Sequence, residues 1–480
     1  MSNITKKFLN GSILSVLNKS GDKLIGLLST LILVRLLLPE DFGVIAITLM
    51  IINVTEALGN LGPANYIIQK KEVIDSDIDT AWTLNLLIKA IISLSLILLT
   101  PVFSRYFTTP SLETSLPILA LGMVIAGLAS PKMLMMGRNM EYGIPFKVSI
   151  LQKITSASGT VIAAFVFRDY RALIVGHLLS TLSLFIFSYV FAYQKPSFSL
   201  ANVKDQWGFS KWVVKSEVTG QIRGNIDTAI AAKFIGTEFV GPYQIMKYYS
   251  SLPVSFFIQP ILTPFIAALS KLKDNPYHFN KQLEKVCLLM CSLSLVIFFV
   301  LHGVSNTIVT VVFGENWVAF TYVFQLFSVL IIASPISICF AKALTAMGKV
   351  KSLFMFDIGS LLLLLLNFSI MILYTEVTGT NFIYVKVATD FLICIGLCIY
   401  AFHALSFSLN VFWMKLLLLI TGSLMFYFMT LHMNYLDMFI GWQNEILVVS
   451  VTLLFNVFLS LMLFRKEFLI ILLKLKSLES

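Results

Sequence analysis

The sequence has few charged residues, and this shortage narrows the class of protein. Only 12% of its 480 residues are charged, whereas soluble domains average about 25%. Hydrophobic residues make up 58% of the chain, and the mean hydropathy is +0.87. These values exclude an ordinary soluble protein and predict an all-α polytopic membrane protein.

Cysteine and histidine are also scarce, with five residues of each. Cys287 and Cys291, like Cys394 and Cys398, are four residues apart in apolar segments. The histidines are scattered, and no spacing in the sequence indicates a metal site or a nucleophile beside a base. We therefore expect cysteines that face lipid or the protein core, with no metal and no cofactor.

Long apolar runs alternate with short polar segments and predict fourteen membrane-spanning helices, since about 20 apolar residues cross a bilayer. The longest segments between them, near 194–207 and 269–282, are too short to form a domain. The predicted spans are 11–38, 42–68, 80–103, 114–137, 147–167, 171–193, 208–235, 240–268, 283–312, 318–345, 352–374, 380–403, 411–431 and 445–464.

Lysine and arginine between these spans are distributed unevenly. One side of the membrane receives 22 of them and the other side four, namely Arg35, Arg105, Arg168 and Arg171. Because basic residues favour the cytoplasmic side, both termini are predicted to be cytoplasmic. This distribution also explains the net charge of +10 without a nucleic-acid partner. Since the first apolar run is long and carries Asp22 and Lys23, we expect it to be kept as a span rather than cleaved as a signal peptide.

A ten-residue pattern recurs, with substitutions, at 34–43 (VRLLLPEDFG) and 232–241 (AKFIGTEFVG). Its matching residues differ by 198 in number in each case: Arg35 and Lys233, Glu40 and Glu238, Gly43 and Gly241. A weaker match relates Tyr106–Phe107 to Val312–Phe313. The repeat predicts two six-helix lobes in parallel orientation, followed by two further helices. The predicted domains are an N-lobe at 1–200, a C-lobe at 201–405 and a C-terminal pair with a cytoplasmic tail at 406–480.

Charged residues remain inside the predicted spans. At about 2.5–3.5 kcal/mol per charge at a helix centre, nine cations in lipid would cost roughly 25 kcal/mol. That exceeds the ~5–15 kcal/mol stability of a typical protein, so most of them must face water or each other. The nine basic residues are Lys19, Lys23, Lys89, Lys153, Lys215, Arg223, Lys233, Lys247 and Lys386. The six acidic ones are Asp22, Glu56, Glu217, Asp227, Asp357 and Asp390.

The first and seventh spans are repeat mates, so their polar faces are expected to meet at a shared basic cavity. Such a cavity suits an anionic head group such as a phosphate or pyrophosphate, for which lysine supplies a point charge and arginine a two-pronged donor. For lysines near span ends, the alternative is that the side chain snorkels to the membrane interface. For the deeper charges, the alternative to a cavity-facing role is a structural ion pair; these are Lys23, Lys89, Arg223, Glu56, Asp227 and Asp390. The candidate head-group ligands are Lys23 and Arg223, assisted by Lys89 and Lys215, with Lys19 and Lys153 nearby.

Two motifs carry a resemblance to a known family. The first is 35–43 (RLLLPEDFG) with Glu56, Gly59, Gly62, Ala64 and 67–71 (IIQKK); the second is 313–317 (FGENW). Together they resemble the signature of Wzx-type polysaccharide flippases of the multidrug/oligosaccharidyl-lipid/polysaccharide exporter superfamily. Arg35, Pro39, Gly43 and Gly241 belong to this signature.

The resemblance implies two lobes in a V shape, in a bacterial inner membrane. It implies that undecaprenyl-pyrophosphate-linked oligosaccharide crosses from the cytoplasmic to the periplasmic leaflet during O-antigen, capsule or exopolysaccharide assembly. It further implies an ion gradient as the driving force, with Na⁺ or H⁺ as coupling ion. The resemblance does not indicate which acid couples to the ion; from the charges within the spans, Asp22, Glu56 and Asp227 are the candidate coupling residues. A polysaccharide polymerase and chain-length machinery are the expected protein partners. The last two spans are similar to the extra pair of fourteen-span lipid II flippases.

Two alternatives remain at this point. A drug/cation antiporter of the same superfamily would need an acidic, aromatic cavity, whereas the spans here hold more basic than acidic residues. A polytopic polysaccharide polymerase or ligase would need catalytic groups at the membrane surface, and the predicted periplasmic loops are short. We therefore expect a transporter rather than an enzyme.

Overall fold

The computed structural model describes residues 3–59, 66, 67, 70, 72–139, 141–405, 410–433 and 442–463. Within these residues the regular structure is helical. The helices are α1 (Asn3–Leu36), α2 (Pro39–Gly59), α3 (Asp75–Tyr106), α4 (Leu112–Gly127), α5 (Lys132–Arg138), α6 (Gly143–Phe167), α7 (Arg171–Phe191), α8 (Val203–Phe234), α9 (Thr237–Pro253), α10 (Gln259–Ser270), α11 (Pro276–Gly303), α12 (Thr321–Ala346), α13 (Val350–Tyr374), α14 (Gly379–Ala404), α15 (Asn410–Met433) and α16 (Trp442–Leu463).

A helix or a pair of helices lies at each of the fourteen predicted positions. In the part of the chain that the structure describes, nine helices are long and apolar enough to cross a membrane, or ten if the bent pair α4–α5 is one span. The protein is thus a multi-pass membrane protein. The total of fourteen spans and the two repeated lobes remain predictions. Predicted spans 1, 2, 7 and 8 correspond to α1, α2, α8 and α9–α10, and in each of these some side chains lie outside the described part of the structure.

Two predicted spans are interrupted, and proline accounts for both interruptions. The fourth span bends by 66° between α4 and α5, where Pro131 lacks the N–H that would continue the helix. The eighth span contains a π-helical turn, Val254–Ile258, between Pro253 and Pro260. Pro253 and Pro260 thus flank the irregular turn.

The end of the ninth span is also irregular. After α11 the chain forms a short helix Ser305–Ile308, a π-helical turn Val309–Phe313 and a 3₁₀ helix Glu315–Phe320. Gly314 between the last two has φ +100°, a conformation that glycine adopts at little steric cost. The second signature motif, 313–317, thus forms a tight turn into α12 rather than the start of a long helix.

The chain divides into two compact units, Met1–Gln244 and Ile245–Ser480. In the first unit, α1 packs on α6, α6 on α7, α3 on α4, and α2 on α4 and α8. The core around α4 includes the buried side chains of Leu112, Leu116 and Leu119. Helix α8 belongs to this unit because it packs along α2. The division at 1–200, 201–405 and 406–480 remains a prediction.

The second unit is built around α11, α12 and α14. Cys287, Cys291, Cys339 and Cys398 are free and buried in its core, and Cys394 is half-buried. Helices α15 and α16 pack on each other and on α11. Within that contact, the buried Asn456 donates to Ser423 (3.3 Å), and Ser292 lies 2.6 Å from Ser460. A polar cluster thus joins the two C-terminal helices to α11.

Asp77 connects three segments at one end of the first unit. Its carboxylate is fully buried and accepts from Lys70 Nζ at 2.6 Å and from Asn202 Nδ2 at 2.8 Å. The amide of Gln206 donates to its backbone oxygen at 2.9 Å. The hydrogen bond that Lys70 donates to Asp77 raises the pKa of Lys70. Asp77 therefore ties the start of α3 to the start of α8.

Asp77→Asn is expected to lower the stability of the protein by about 2 kcal/mol, since hydrogen bonds to a charged group contribute about 1.5–3 kcal/mol. Asp75→Asn is the matched control, because Asp75 is exposed on the same helical turn. Thermal unfolding in detergent measures the difference. Equal melting temperatures for both variants would contradict the role assigned to Asp77.

Candidate functional site

The predicted site residues of the first unit lie at three contacts between helices. Lys19 and Lys215 lie on α1 and α8, but their side chains are outside the described part of the structure. Lys23 on α1 and Arg223 on α8 are both half-buried and engaged in interactions. The remaining candidates are arranged on α1 against α6, on α2 against α3 and α8, and on α8 against the start of α9.

The contact between α1 and α6 contains Asp22 and Lys153. Ser149 Oγ lies 3.4 Å from each carboxylate oxygen of Asp22. One helical turn away, the Cε and Nζ atoms of Lys153 lie over Gly26, 3.7 Å from the place of an added Cβ. Gly26 therefore leaves room for a lysine side chain between the two helices. An acid and a base that sequence analysis assigned to different roles lie along one interface.

Glu56 and Lys89 form an ion pair between α2 and α3, with 2.8 Å between Lys89 Nζ and Glu56 Oε1. The lysine side chain is 17% exposed and the glutamate 40%. The stem of Lys89 lies against Gly127 of α4, where an added Cβ would be 3.2 Å from Lys89 Cδ. The pair is thus packed on one side and open on the other.

The open side of Glu56 faces a small polar crevice of about 120 Å³ between α2 and α8. It is lined by Asn53, Glu56, Ala57, Glu217 and Gln221. Sequence analysis named Glu56 and Glu217 separately but did not place them together. The crevice holds two carboxylates, and Lys89 forms an ion pair with that of Glu56. It is therefore a polar, charged opening between α2 and α8.

Asp227 is fully buried at the contact of α8 with the start of α9. Its carboxylate accepts from Tyr243 Oη at 2.6 Å and from the backbone N–H of Thr228 at 2.8 Å. Gln244 Nε2 donates in turn to Thr228 Oγ1. No sequence pattern indicates Tyr243 as a partner of Asp227, because a tyrosine sixteen residues away reaches the carboxylate only through the turn at 235–236.

The signature residues meet at the starts of α2 and α9. An ideal Cβ on Gly43 would lie 2.1 Å from the carbonyl oxygen of Thr237, and one on Gly241 would lie 1.9 Å from that of Pro39. Pro39 and Thr237, like Gly43 and Gly241, are related by the offset of 198. The contact is thus reciprocal between the two copies of the motif, and both glycines are needed for backbone to approach backbone.

Asp41 lies within the first copy of this motif and is buried. Its carboxylate accepts from the N–H groups of Leu38 and Tyr170, each at 2.9 Å. Burial raises the pKa of Asp41, while the two backbone hydrogen bonds oppose that effect. The signature thereby holds the α1–α2 connection against the start of α7. Arg35, in contrast, is exposed.

These features are those of a multi-pass membrane protein with charged contacts between its helices, and its fold is shared with proteins of known structure. The fold is similar to a lipid II flippase MurJ in an inward closed conformation, with a TM-score of 0.75 and 13% identity over 96% of this chain and 100% of that one. It is also similar to an inward-facing multidrug resistance MATE family transporter of the MOP superfamily, with a TM-score of 0.59 and 14% identity over 80% and 94% of the two chains.

Residues 32–322 match the family described as polysaccharide biosynthesis protein. The match covers more than half of the chain, so the protein belongs to this family. The lipopolysaccharide biosynthesis protein WzxC of Escherichia coli (strain K12) is 24% identical over 342 residues, 70% of this chain and 69% of WzxC. The resemblance to Wzx-type proteins is confirmed, and with it a role in polysaccharide biosynthesis.

Proposed function

We propose that the protein is a flippase for lipid-linked oligosaccharide. Its substrate is an undecaprenyl-pyrophosphate-linked repeat unit, which it moves from the cytoplasmic to the periplasmic leaflet by alternating access. The proposal includes the bacterial inner membrane as location, cytoplasmic termini, and transport without an enzymatic step. The names of the relatives in polysaccharide biosynthesis support this choice of substrate.

One observation carries the proposal within the structure. The helices at predicted spans 1, 2, 7 and 8 carry charged side chains among their described residues. Lys23, Glu56 and Arg223 lie on three of them. Charges on membrane helices are expensive unless they face a polar cavity or a partner. A transporter of a charged, sugar-bearing lipid needs such helices.

We assign the head group to Lys23 and Arg223, with Lys89, Lys215, Lys19 and Lys153 as further ligands. An arginine donates two parallel hydrogen bonds to phosphate oxygens, and lysine adds charge without fixed geometry. The lipid tail remains in the bilayer while the sugars occupy polar space. The half-buried positions of Lys23 and Arg223 support this assignment.

We further infer that uptake of Na⁺ or H⁺ drives the cycle, with Asp22, Glu56 and Asp227 as candidate coupling residues. Glu56 is more accessible than Asp227, since its side chain is 40% exposed and lines the crevice with Glu217. Asp227 is already held by Tyr243 and Thr228. The arrangement therefore favours Glu56 for exchange with water.

Lys23→Gln and Arg223→Gln test the head-group assignment. Each is expected to reduce surface polysaccharide at least tenfold, since losing one charge-assisted hydrogen bond of about 1.5–3 kcal/mol costs that much in occupancy. The measurement is surface polysaccharide in a deletion strain carrying each variant, together with the amount of protein in the membrane and of lipid-linked oligosaccharide inside the cell.

Lys233→Gln is the matched control on the same helix as Arg223. Lys233 Nζ donates to the backbone oxygen of Tyr106 at 2.7 Å and lies 4.6 Å from the Tyr106 ring centre. This position near the helix end indicates anchoring at the membrane interface. Export should survive in this control. Normal export from both Lys23→Gln and Arg223→Gln would remove the head-group role.

A further inference from the structure

Helices α13 and α14 of the second unit enclose an apolar groove of about 450 Å³. On α13 it runs from Ser352 to Leu363, and on α14 from Tyr400 to Leu392. Both helices are apolar enough to cross a membrane. The lining of the groove includes none of the charged residues described for the first unit, and its volume is within the range of about 300–1,000 Å³ typical of ligand pockets.

Two glycines create the groove. An added Cβ on Gly359 would meet open space among the described residues, and one on Gly396 would lie 3.7 Å from the ring of Phe356. The walls are apolar and open to the surroundings, since Met355 is 59% exposed and Leu392 53%. Because glycine weakens a helix by about 0.5–1 kcal/mol relative to alanine, its use at Gly359 is consistent with a need for space.

The length of the groove fits a hydrocarbon chain of one leaflet. Ser352 and Leu363 are separated by about 17 Å along α13, at 1.5 Å per residue. The hydrocarbon core of a bilayer is about 30 Å thick, so one leaflet contributes about half of that. A groove of this length, on a spanning helix, therefore follows one leaflet from the interface toward the bilayer centre.

The interface end of the groove is basic. Lys351 is exposed and lies four residues before Met355 and eight before Gly359, which places it on the groove side of α13. At the same end, Lys349 Nζ donates to the backbone oxygen of Ala404, which fixes the start of α13 to the end of α14. A lysine at the mouth of an apolar groove complements an amphiphile with an anionic head.

We propose that this groove binds one acyl chain of an anionic phospholipid, with the phosphate of its head group at Lys351. The site does not depend on the transported substrate or on the head-group residues of the first unit. Given the predicted orientation, the lipid belongs to the cytoplasmic leaflet. An acyl chain in the groove covers the gap between α13 and α14, so the bound lipid stabilises the contact of these two helices.

Native mass spectrometry of the full-length protein in detergent tests the proposal, with phosphatidylglycerol and phosphatidylcholine of the same acyl chains as probes. The wild type should retain one phosphatidylglycerol at least tenfold more strongly than phosphatidylcholine. Gly359→Leu fills the groove and should weaken phosphatidylglycerol binding at least tenfold. Lys351→Gln should reduce the retention of phosphatidylglycerol to that of phosphatidylcholine. Leu366→Phe, at an exposed position of α13 outside the groove lining, is the control and should bind as the wild type.

Several results would overturn the site. Two of these are equal retention of the two lipids by the wild type and unchanged binding by Gly359→Leu. A third is a dimer of the wild type that Gly359→Leu abolishes, since the occupant of the groove would then be a second copy of the chain. Displacement of phosphatidylglycerol by an equimolar polyprenyl phosphate would assign the groove to the substrate tail instead. If Gly359→Leu does not fold, Lys351→Gln still tests the site, because it changes only an exposed side chain and should leave the fold intact.

Discussion

Gly241→Ala is expected to destabilise the protein by about 3 kcal/mol and to lower its amount in the membrane severely. The added methyl group would lie 1.9 Å from the carbonyl oxygen of Pro39 and 2.8 Å from the N–H nitrogen of Gly43. Both are backbone atoms, so no side chain can rotate away, and the starts of α2 and α9 must separate. Overpacking of this kind costs about 1–3 kcal/mol and occasionally more. Thermal unfolding in detergent and membrane yield are the measurements.

The reciprocal geometry makes the double variant more informative than either single one. Gly43→Ala would clash with the carbonyl oxygen of Thr237 at 2.1 Å, at the same crossing of backbones. One separation of the two helix starts relieves both clashes, so Gly43→Ala with Gly241→Ala should cost clearly less than the sum of the single changes. Additive effects would show that the two contacts are independent.

Gly224→Ala is the control for both. Gly224 lies on α8, where an added Cβ would meet open space in the part of the chain described. Alanine is favoured over glycine within a helix by about 0.5–1 kcal/mol. The control should therefore be neutral or slightly stabilising, and a loss as large as that of Gly241→Ala would show a general intolerance of the unit to change.

The repeated motif illustrates how far the sequence alone predicts this protein. The offset of 198 identified Pro39–Gly43 and Thr237–Gly241 as equivalent before any contact was known. The offset did not show that the two copies are in contact, because a repeat identifies equivalent residues but does not say which segments pack together. The sequence does not distinguish Gly43 and Gly241 from a glycine such as Gly224. Only the structure shows that an added Cβ would meet the opposite backbone at the first two positions and open space at the third among the described residues.

Helices were predictable where apolar runs are long. Spans such as 352–374 and 380–403 agree with α13 and α14 to within two residues. Local breaks were less predictable, since hydropathy does not register the 66° bend at Pro131 or the π-helical turn before Pro260. An apolar composition determines where a helix is stable in lipid, whereas the backbone hydrogen bonds determine where the helix ends.

Pairing of charges depended on tertiary structure. Lys386 and Asp390 are four residues apart on α14 and form a 2.9 Å ion pair, as helical spacing allows. Glu56 and Lys89 lie on different helices, and no spacing relates them. Sequence analysis therefore placed both among the charges that need polar surroundings but gave them separate roles, one for ion coupling and one for the head group.

Reversing either charge of the Glu56–Lys89 pair is expected to be strongly destabilising. Glu56→Lys would place two cations, and Lys89→Glu two anions, where the native atoms lie 2.8 Å apart. At an effective dielectric constant of about 20, like charges 4 Å apart repel by ~4 kcal/mol. The exposed face of Glu56 reduces this figure, but each single reversal should still lower the melting temperature and the membrane yield.

Combining Glu56→Lys with Lys89→Glu restores an ion pair in the opposite direction, and the stability of the folded protein should largely return. Export should not return, because the lysine then lies at position 56 on α2, beside the crevice. In the wild type the ammonium group belongs to Lys89 on α3, whose stem packs against Gly127. Stability and surface polysaccharide, measured on the same four proteins, separate the two roles. Recovery of both would show that the pair is purely structural, and Lys89 would then leave the set of head-group ligands, with Lys23 and Arg223 unaffected.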